Sequence, residues 1–362
     1  MRFAALSLAV LLLASCAVWA GGVSVGSASP SSADPSASAV AGLVDIGAGL
    51  QGHDGLRATV EATGVVNVAS LAVDAQHRIW AGTAAFTDAG TDAIWLIPSA
   101  GADPVRMIDG LHTVLGIVWV GETMLVASKE QVTAYAGFNG STFGSHRAIV
   151  TFSAGVGEVN GIALGPDGRL VVGISAPCNA CITTDPDSAA IVSFLPNGSD
   201  LRIETTGIRA PVGLAFRMGT GDLFVTMNQR DDLGDATPGD WLAVVVPGED
   251  WGFPDCYGQA AAACIDEPTP VVALDTHAAA SGVAIVSGEL GTAVGTSAIV
   301  AEWARGIVVR VALGGSGSVT TGSVVPFVVG LQNPVPVLAD GMGGVLIGDW
   351  ATGRIVRIAS IA

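Results

Sequence analysis

Residues 159–174 read VNGIALGPDGRLVVGI, two aliphatic runs separated by the turn sequence GPDG. This pattern predicts a strand, a tight turn and a second strand. Related stretches recur along the chain: ASLAVDAQHRIWAG from Ala69, LGIVWVGETMLVAS from Leu115, VGLAFRMGTGDLFVTM from Val212, SGVAIVSG from Ser281 and VPVLADGMGGVLIGDW from Val335. The fold therefore follows from a repeated β-unit.

The spacing of the repeats indicates which repeat architecture is present. Equivalent small apolar positions are 46, 45, 52, 69 and 55 residues apart: Ala72, Val118, Ala163, Ala215, Ala284 and Ala339. Most units continue with another β-rich run, so each holds three or four short strands. Such a period predicts propeller blades. We therefore expect an all-β fold, a six-bladed β-propeller over residues 43–362, with the small residues packed where the innermost strands converge.

The segment LRATVEAT, residues 56–63, precedes the first repeat and has strand character. An N-terminal strand that completes the last blade would close the ring and remove the exposed strand edges. We expect this segment to pair beside GRIVRI, residues 353–358.

The composition excludes some classes of partner. The chain has a net charge of −17, with only 15 Lys and Arg among 362 residues. Phosphate binding needs clustered basic residues, so nucleic acid is not expected as a partner. We expect a monomer that binds a small sugar or a glycan.

The N-terminus has the pattern of an export signal. Arg2 is followed by the apolar run FAALSLAVLLLA and then by LASC, which ends at Cys16 and resembles a bacterial lipobox. We expect residues 1–20 to be a lipoprotein signal peptide with lipidation at Cys16, and residues 21–42 to be a flexible tether. Ordinary secretion, with cleavage after Ala20, is the alternative. The protein would thus be extracytoplasmic, and would meet the membrane only through a lipid anchor.

Four cysteines remain in the exported part: Cys178, Cys181, Cys256 and Cys264. An even number outside the cytoplasm indicates two disulfides. Three connectivities are possible, and we favour the local pairs 178–181 and 256–264. A four-cysteine zinc site is the alternative.

Several stretches between Gly155 and Gly258 resemble the glucose/sorbosone dehydrogenase family. The more specific ones are GIRAPVGLAF, NQRDDLGDATPGDW and DWGFPDCYG, and weaker matches extend the resemblance from Thr63 to Ile358. The resemblance implies an exported six-bladed propeller that oxidises sugars with pyrroloquinoline quinone (PQQ) and calcium.

The resemblance assigns roles to two parts of blade four. Arg209 would approach and polarise the quinone oxygens, whereas Ala210 stands where the family usually has Asn. Pairing of Arg209 with a carboxylate of the propeller is the alternative. In the acidic loop, backbone carbonyls near Gln229 and Arg230 would hold calcium. Its carboxylates supply further oxygen ligands, unless the loop is simply solvated: Asp231, Asp232, Asp235 and Asp240.

The family's general-base histidine is missing. Its place falls at Gly157 or Glu158, just before the strand in NGIALGPDG, and no His lies between His146 and His277. Glu158 would replace it only if burial raised the pKa of its carboxyl toward neutrality. His112, at the start of blade two, is another candidate for the same channel.

Two further side chains could border the channel. Arg305 could reach the same channel mouth and contact the cofactor, or it could lie on the surface. His277 is expected to be structural.

Three functions remain open at this stage. The first is a PQQ-dependent sugar or aldose dehydrogenase, and the second is a non-catalytic propeller that binds a glycan, a peptide or a protein. The third is a calcium-dependent lactonase, which needs oxygen ligands from several blades around one axial metal. The residues available for that metal are Asn67, Glu158, Asn160 and Asp340.

Overall fold

The computed structural model of the chain describes residues 42–87, 89–258 and 262–361. The chain divides into a unit at residues 1–38, which lies outside the described residues, and a unit at residues 39–362. The predicted signal peptide with Cys16, and the predicted tether as far as residue 41, also fall outside the described residues. In the described part, no helix is long and apolar enough to cross a membrane.

Six antiparallel sheets form the described part of the second unit, and each is one blade. The first three blades have these strands: β4 (Val68–Val73), β5 (Ile79–Thr83), β6 (Asp92–Ile97), β7 (Val105–Leu111); β8 (Gly116–Val120), β9 (Thr123–Ser128), β10 (Gln131–Ala136), β11 (Ser145–Thr151); β12 (Val159–Leu164), β13 (Leu170–Ile174), β14 (Ala190–Phe194), β15 (Arg202–Thr205). The last three have these: β16 (Pro211–Phe216), β17 (Leu223–Met227), β18 (Trp241–Val245), β19 (Val272–Ala273); β20 (Ala280–Ser287), β21 (Thr296–Glu302), β22 (Ile307–Gly314), β23 (Thr321–Val329); β24 (Pro334–Ala339), β25 (Gly344–Asp349), β26 (Arg354–Ser360). The only helices among the described residues are single 3-10 turns.

The first strand of each blade is the innermost one. Each of β4, β8, β12, β16, β20 and β24 contacts the innermost strand of the following blade, and β24 contacts β4. The predicted all-β, six-bladed propeller is confirmed.

The N-terminal strands join the last two blades. The strand β3 (Leu56–Ala62) pairs with β26, in a register that runs from Ile355 opposite Ala62 to Ser360 opposite Leu56. The predicted closing strand is therefore confirmed. A short hairpin of β1 (Val44–Gly47) and β2 (Leu50–Gly52) adds to the outer edge of blade five through β23.

The hydrophobic core is divided among the contacts between neighbouring blades. Six clusters of buried side chains are present, and each combines residues from two adjacent blades. The cluster between blades one and six, for example, joins Leu71 and Ile79 to Leu346 and Ile355. Closing the ring thus buries apolar surface that a single blade would leave exposed.

The convergence of the inner strands requires glycine. A Cβ at Gly213 would lie 2.3 Å from the carbonyl oxygen of Ser281, and a Cβ at Gly282 would lie 2.5 Å from the amide nitrogen of Val337. Both distances are too short for any side chain, so these two backbone approaches require glycine. The predicted small positions Ala215 and Ala284 lie two residues further on. The repeat pattern therefore located the segment where neighbouring blades approach each other. It did not identify Gly213 and Gly282 as the positions where no side chain fits.

Candidate functional site

The innermost strands all begin at the same end of the channel, which we call the mouth. Glu158 lies directly before β12, Arg209 lies just before β16 and His277 precedes β20. The strand β21 runs antiparallel to β20 and ends at the mouth with Glu302. The fold thus brings the predicted residues of blades three, four and five to one end of the propeller.

Arg209 joins two loops of the mouth through its half-buried guanidinium. Nη1 donates to the carbonyl oxygens of Asn228 at 3.0 Å and Gln229 at 2.9 Å. Nε donates to the carbonyl oxygen of Asn179 at 3.2 Å, and Nη2 donates to the side-chain oxygen of the same residue. Four of the five guanidinium N–H groups therefore have partners within the chain. Burial lowers the pKa of Arg209, although nearby Asp231 and Asp240 oppose that shift.

Several charged side chains of the acidic loop have partners, either within the loop or at the start of blade five. Arg230 donates to both carboxylate oxygens of Asp232, at 2.8 and 2.7 Å, and its guanidinium lies 4.6 Å from the ring centre of Tyr257. The carboxylate of Asp231 lies 3.2 Å from Nδ1 of His277. The loop is thus internally bonded, and Asp235 is exposed in the 3-10 turn Gly234–Ala236.

His277 is held at both ring nitrogens. Its Nε2 lies 3.0 Å from the carbonyl oxygen of Gly234, and this contact, together with Asp231, raises the pKa of His277 above its usual value. These contacts fit the predicted structural role, because they fix the acidic loop against the start of blade five.

Asp240 connects blade four to blade five. Its Oδ1 accepts from the backbone N–H of Gln229 at 2.8 Å, and its Oδ2 accepts from the backbone N–H of Ala280 at 3.0 Å. The carboxylate is buried, and burial raises the pKa of Asp240. Both of its oxygens thus hold the backbone of the mouth in place.

Glu302 was not found by sequence reasoning. Its side chain is 1% exposed, and burial, followed by the charge of Asp240, raises the pKa of its carboxyl to about 7. Nη1 of Arg305 lies 3.2 Å from Oε2 of Glu302, whereas Oε1 has no hydrogen-bond partner among the described residues. Arg305 itself is exposed and also pairs with Asp275. The sequence shows only that an acidic residue ends an apolar strand. It does not show how deeply that end of the strand is buried.

The positions considered for the missing histidine differ in the space around them. A Cβ at Gly157 would lie 2.5 Å from the carbonyl oxygen of Ser175, so no side chain fits there without a backbone shift. Glu158 is half-buried, and its backbone carbonyl accepts from Ser175 at 3.0 Å. His112 is exposed at the end of blade one's outer strand, directly before blade two. Of these residues, only Glu158 therefore provides a side chain at the position where the general-base histidine was expected.

The predicted local disulfides are confirmed. Cys178 bonds to Cys181 and Cys256 bonds to Cys264. The first bridge closes the loop that carries Asn179, the partner of Arg209. Pairing the cysteines in this way excludes the four-cysteine zinc site.

A small cavity of about 110 Å³ lies beside Arg209 and Gln229. Its wall includes two stacked indoles, Trp241 and Trp251, whose ring centres are 4.6 Å apart. Tyr257, from the loop closed by the second disulfide, completes this wall. The mouth of blade four is therefore lined by aromatic rings as well as charges.

The residues considered for a lactonase metal lie at both ends of the channel. Asn67, Glu158 and Asn160 precede or begin innermost strands at the mouth, whereas Asp340 follows β24 at the opposite end and pairs with Arg357. Within the described ranges, no group of three or more His, Cys, Asp and Glu side chains is placed to hold a metal ion.

Comparison with known proteins supports the fold at low sequence identity. No family model matches the sequence, and no curated protein matches it. Among solved structures, the PQQ-bound aldose sugar dehydrogenase of Streptomyces coelicolor is 17% identical, with a TM-score of 0.65 over 84% of this chain and 98% of that one.

Two fungal structures match similarly. The holo PQQ domain of pyranose dehydrogenase from Coprinopsis cinerea is 14% identical, with a TM-score of 0.69 over 86% of this chain and 97% of that chain. The calcium structure of a family AA12 carbohydrate-active enzyme from Trichoderma reesei is 16% identical, with a TM-score of 0.69 over 85% and 96%. The chain thus has the six-bladed fold of soluble sugar dehydrogenases, and such neighbours have been solved with PQQ and with calcium.

Proposed function

We propose that the protein is an extracytoplasmic binding propeller whose mouth takes a neutral or cationic sugar without a quinone cofactor. The observation that carries this proposal is the charge balance of the mouth. The guanidinium groups of Arg209, Arg230 and Arg305 each have partners within the chain. The carboxyl groups of the mouth outnumber them: Asp231, Asp232, Asp235, Asp240, Asp275 and Glu302. A surplus of negative charge favours a neutral or cationic ligand.

A calcium ion does not fit the acidic loop as arranged. The carbonyl of Gln229 accepts from Arg209, both oxygens of Asp240 accept backbone N–H groups, and Asp232 is paired with Arg230. Calcium needs six to eight oxygen ligands, so several of these bonds would have to break. The Arg209 guanidinium thus supplies the positive charge at these carbonyls.

PQQ fits poorly for a related reason. The cofactor carries several carboxylates, and its binding would need cations that are free to meet them. Arg209 has a single N–H without a partner, and Arg230 and Arg305 are paired with acidic residues. Ala210 also removes the amide expected beside the quinone. The residues present therefore favour a propeller that has kept the fold without the cofactor.

A PQQ- and calcium-dependent sugar dehydrogenase is the second candidate. The observation that favours it is the position of Arg209 at the mouth of a propeller whose structural neighbours include PQQ-bound forms. In this candidate Arg209 would exchange its carbonyl partners for the cofactor, and Glu158 would occupy the position of the base.

Location outside the cytoplasm is part of the proposal. Two disulfides in loops support it, because such bonds persist in oxidising compartments. Cys16 would tether the propeller to the membrane through lipid, and its replacement by Ser would release the protein or block maturation. Membrane retention unchanged by that replacement would contradict the anchor.

Calorimetric titration with three sugars of different charge tests the binding proposal. We expect glucosamine to bind more tightly than glucose, and glucuronate to bind least. Asp231→Asn should weaken glucosamine more than glucose, because it removes one exposed carboxylate of the mouth. The matched control is Asp222→Asn, in the turn between β16 and β17 at the opposite end. Tightest binding of glucuronate would contradict the proposal.

A further inference from the structure

A second cavity, of about 320 Å³, lies at the opposite end of the propeller from the mouth. It is formed where the β4–β5 turn of blade one meets the β8–β9 and β10–β11 turns of blade two. We call it the far cavity, and its principal lining residues are Asp74, Gln76, Arg78, Trp119, Glu122 and Phe138. Pockets for small ligands begin at roughly 300 Å³, so the far cavity has room for one sugar ring.

One wall of the far cavity is built from an aromatic cluster. Trp119 lies 5.3 Å from Trp80 and 6.1 Å from Phe143, and Phe138 lies 5.0 Å from Phe143, measured between ring centres. Trp80 is fully buried, whereas Trp119 and Phe138 are half-buried and line the cavity. Only 6% of the chain is aromatic, so such a concentration at two adjacent blades is a local feature.

The two indoles of this cluster differ in their hydrogen bonding. The N–H of Trp80 donates to Oδ2 of Asp74 at 2.8 Å. The N–H of Trp119 is buried and has no partner among the described residues. A buried donor without a partner is unfavourable, although buried indoles usually have one. Because this N–H has almost no accessible surface, Trp119 offers a ligand in the far cavity its ring and not its N–H.

The polar groups around the cavity narrow the class of ligand. Arg78 is held by Asp74 at 2.7 Å and lies 5.2 Å above the ring of Phe138, so the cation site on that ring is already filled. Glu122 and Gln76 are exposed at the rim, where a carboxylate and an amide can accept and donate to hydroxyl groups. Arg78 and Asp74 balance each other, so the carboxylate of Glu122 remains and disfavours an anion.

We propose that the far cavity binds a neutral pyranose sugar, as a free sugar or as the terminal residue of a glycan. A pyranose presents an apolar C–H face to the ring of Trp119 and a ring of hydroxyls to Gln76 and Glu122. This site is separate from the mouth, so it does not depend on the function proposed there.

The test is a photolabelling experiment with a diazirine-bearing alkyl β-D-glucopyranoside on the full chain, with methyl β-D-glucopyranoside as competitor. We expect competable labelling of peptides from residues 74–80 and 119–143. Labelling confined to residues 228–240 or 275–305 would place the sugar only at the mouth, and would overturn the proposal. Absence of competable labelling anywhere would also overturn it.

Variants make the test specific for the cavity. Trp119→Ala should weaken labelling of the cavity peptides by about tenfold, in line with the loss of an aromatic contact. Trp95→Ala is the matched control, because Trp95 is also a half-buried tryptophan but lies outside the cavity. Should Trp119→Ala fail to fold, Gln76→Ala and Glu122→Ala remain, since both side chains are exposed. Full labelling in both of these variants would contradict the proposed contacts.

Discussion

Asp92 and Asp240 stand at equivalent places in blades one and four, at the start of the third strand. Asp92 accepts from the backbone N–H of Ala85 at 2.9 Å and of Thr113 at 2.8 Å. Asp240 accepts from Gln229 at 2.8 Å and Ala280 at 3.0 Å. Each carboxylate joins the loop after its own second strand to the start of the next blade. A buried acid in this position is therefore explained by the way blades connect, and needs no metal ion.

The two regions differ in what surrounds the shared carboxylate. In blade four, Arg209 and Arg230 bind the loop that Asp240 holds, and His277 reaches it from blade five. Propeller geometry accounts for Asp240, whereas these added cations give the mouth of blade four its own chemistry. The candidate functional residues of blade four are therefore those that have no counterpart in blade one.

Replacing Asp92 or Asp240 should cause the largest loss of unfolding free energy. Asp240→Ala and Asp92→Ala each leave two backbone N–H groups without partners, and each such group, where it is buried, costs roughly 1–3 kcal/mol. We expect both variants to lose about 4 kcal/mol of unfolding free energy, measured by urea denaturation. Asp222→Ala, at an exposed turn, is the control. If Asp240→Ala loses much less unfolding free energy than Asp92→Ala, the two carboxylates do not have equivalent structural roles.

The next effect is the pH dependence caused by Glu302. Its pKa is raised from 4.5 to about 7 in the folded protein, so folding favours the protonated form. Its contribution to stability is therefore complete below pH 4.5 and is lost as the pH rises through about 7. The loss amounts to about 3 kcal/mol, at roughly 1.4 kcal/mol for each unit of pKa shift.

Glu302→Gln should remove most of this decline in unfolding free energy between pH 4.5 and 7.5. A smaller slope of the same sign should remain, because burial also raises the pKa of Asp240. Glu249→Gln, at an exposed turn, should leave the profile unchanged. If the variant and the wild type have the same pH profile, Glu302 does not titrate in this range.

Loss of the Arg209 guanidinium should have a moderate effect. Arg209→Ala frees the carbonyls of Asn228 and Gln229, and should cost about 2 kcal/mol of unfolding free energy. Arg209→Lys should not restore stability, since an ammonium group cannot span both loops in the same way. Arg217→Ala removes a half-buried arginine that donates to one carbonyl, and is the control. Full stability in Arg209→Lys would contradict the two-loop geometry.

The smallest effect is the coupling between Arg209 and the first disulfide. Replacing Cys178 and Cys181 by Ser should cost at most about 2 kcal/mol, because the closed loop is very short. The bridge also positions Asn179, which accepts two bonds from Arg209. A double-mutant cycle with Arg209→Ala should therefore show about 1 kcal/mol of coupling. Strict additivity would mean that the disulfide does not support this contact.

The sequence was sufficient for features that depend on local pattern. Strand and turn periodicity predicted six blades, the strand character of residues 56–63 predicted the closing strand, and short spacing predicted the disulfides. Each of these depends on residues that are close in sequence, or on a repeat that is visible directly. The glycine contacts at Gly213 and Gly282 could not be located in the same way, because they depend on the distance between neighbouring blades.

The candidate site could be predicted only in part, because its contacts join residues that are distant in sequence. Arg209 could be placed at the mouth, but its partners come from the loops that carry Asn179 and Gln229, 30 and 20 residues away. The raised pKa of Glu302 results from its burial beside Asp240, which belongs to another blade. Sequence therefore identified chemically suitable residues, whereas the folded structure determined which of them remain available to a ligand.

The central claim is that Arg209 and its neighbours leave no place for calcium and quinone at the mouth. Equilibrium dialysis of PQQ against the wild-type protein in saturating calcium tests this most directly. We predict no saturable binding at micromolar concentrations, and no change in melting temperature when calcium is added or chelated. Saturable, calcium-dependent PQQ binding that Arg209→Ala abolishes would contradict this prediction and favour a dehydrogenase.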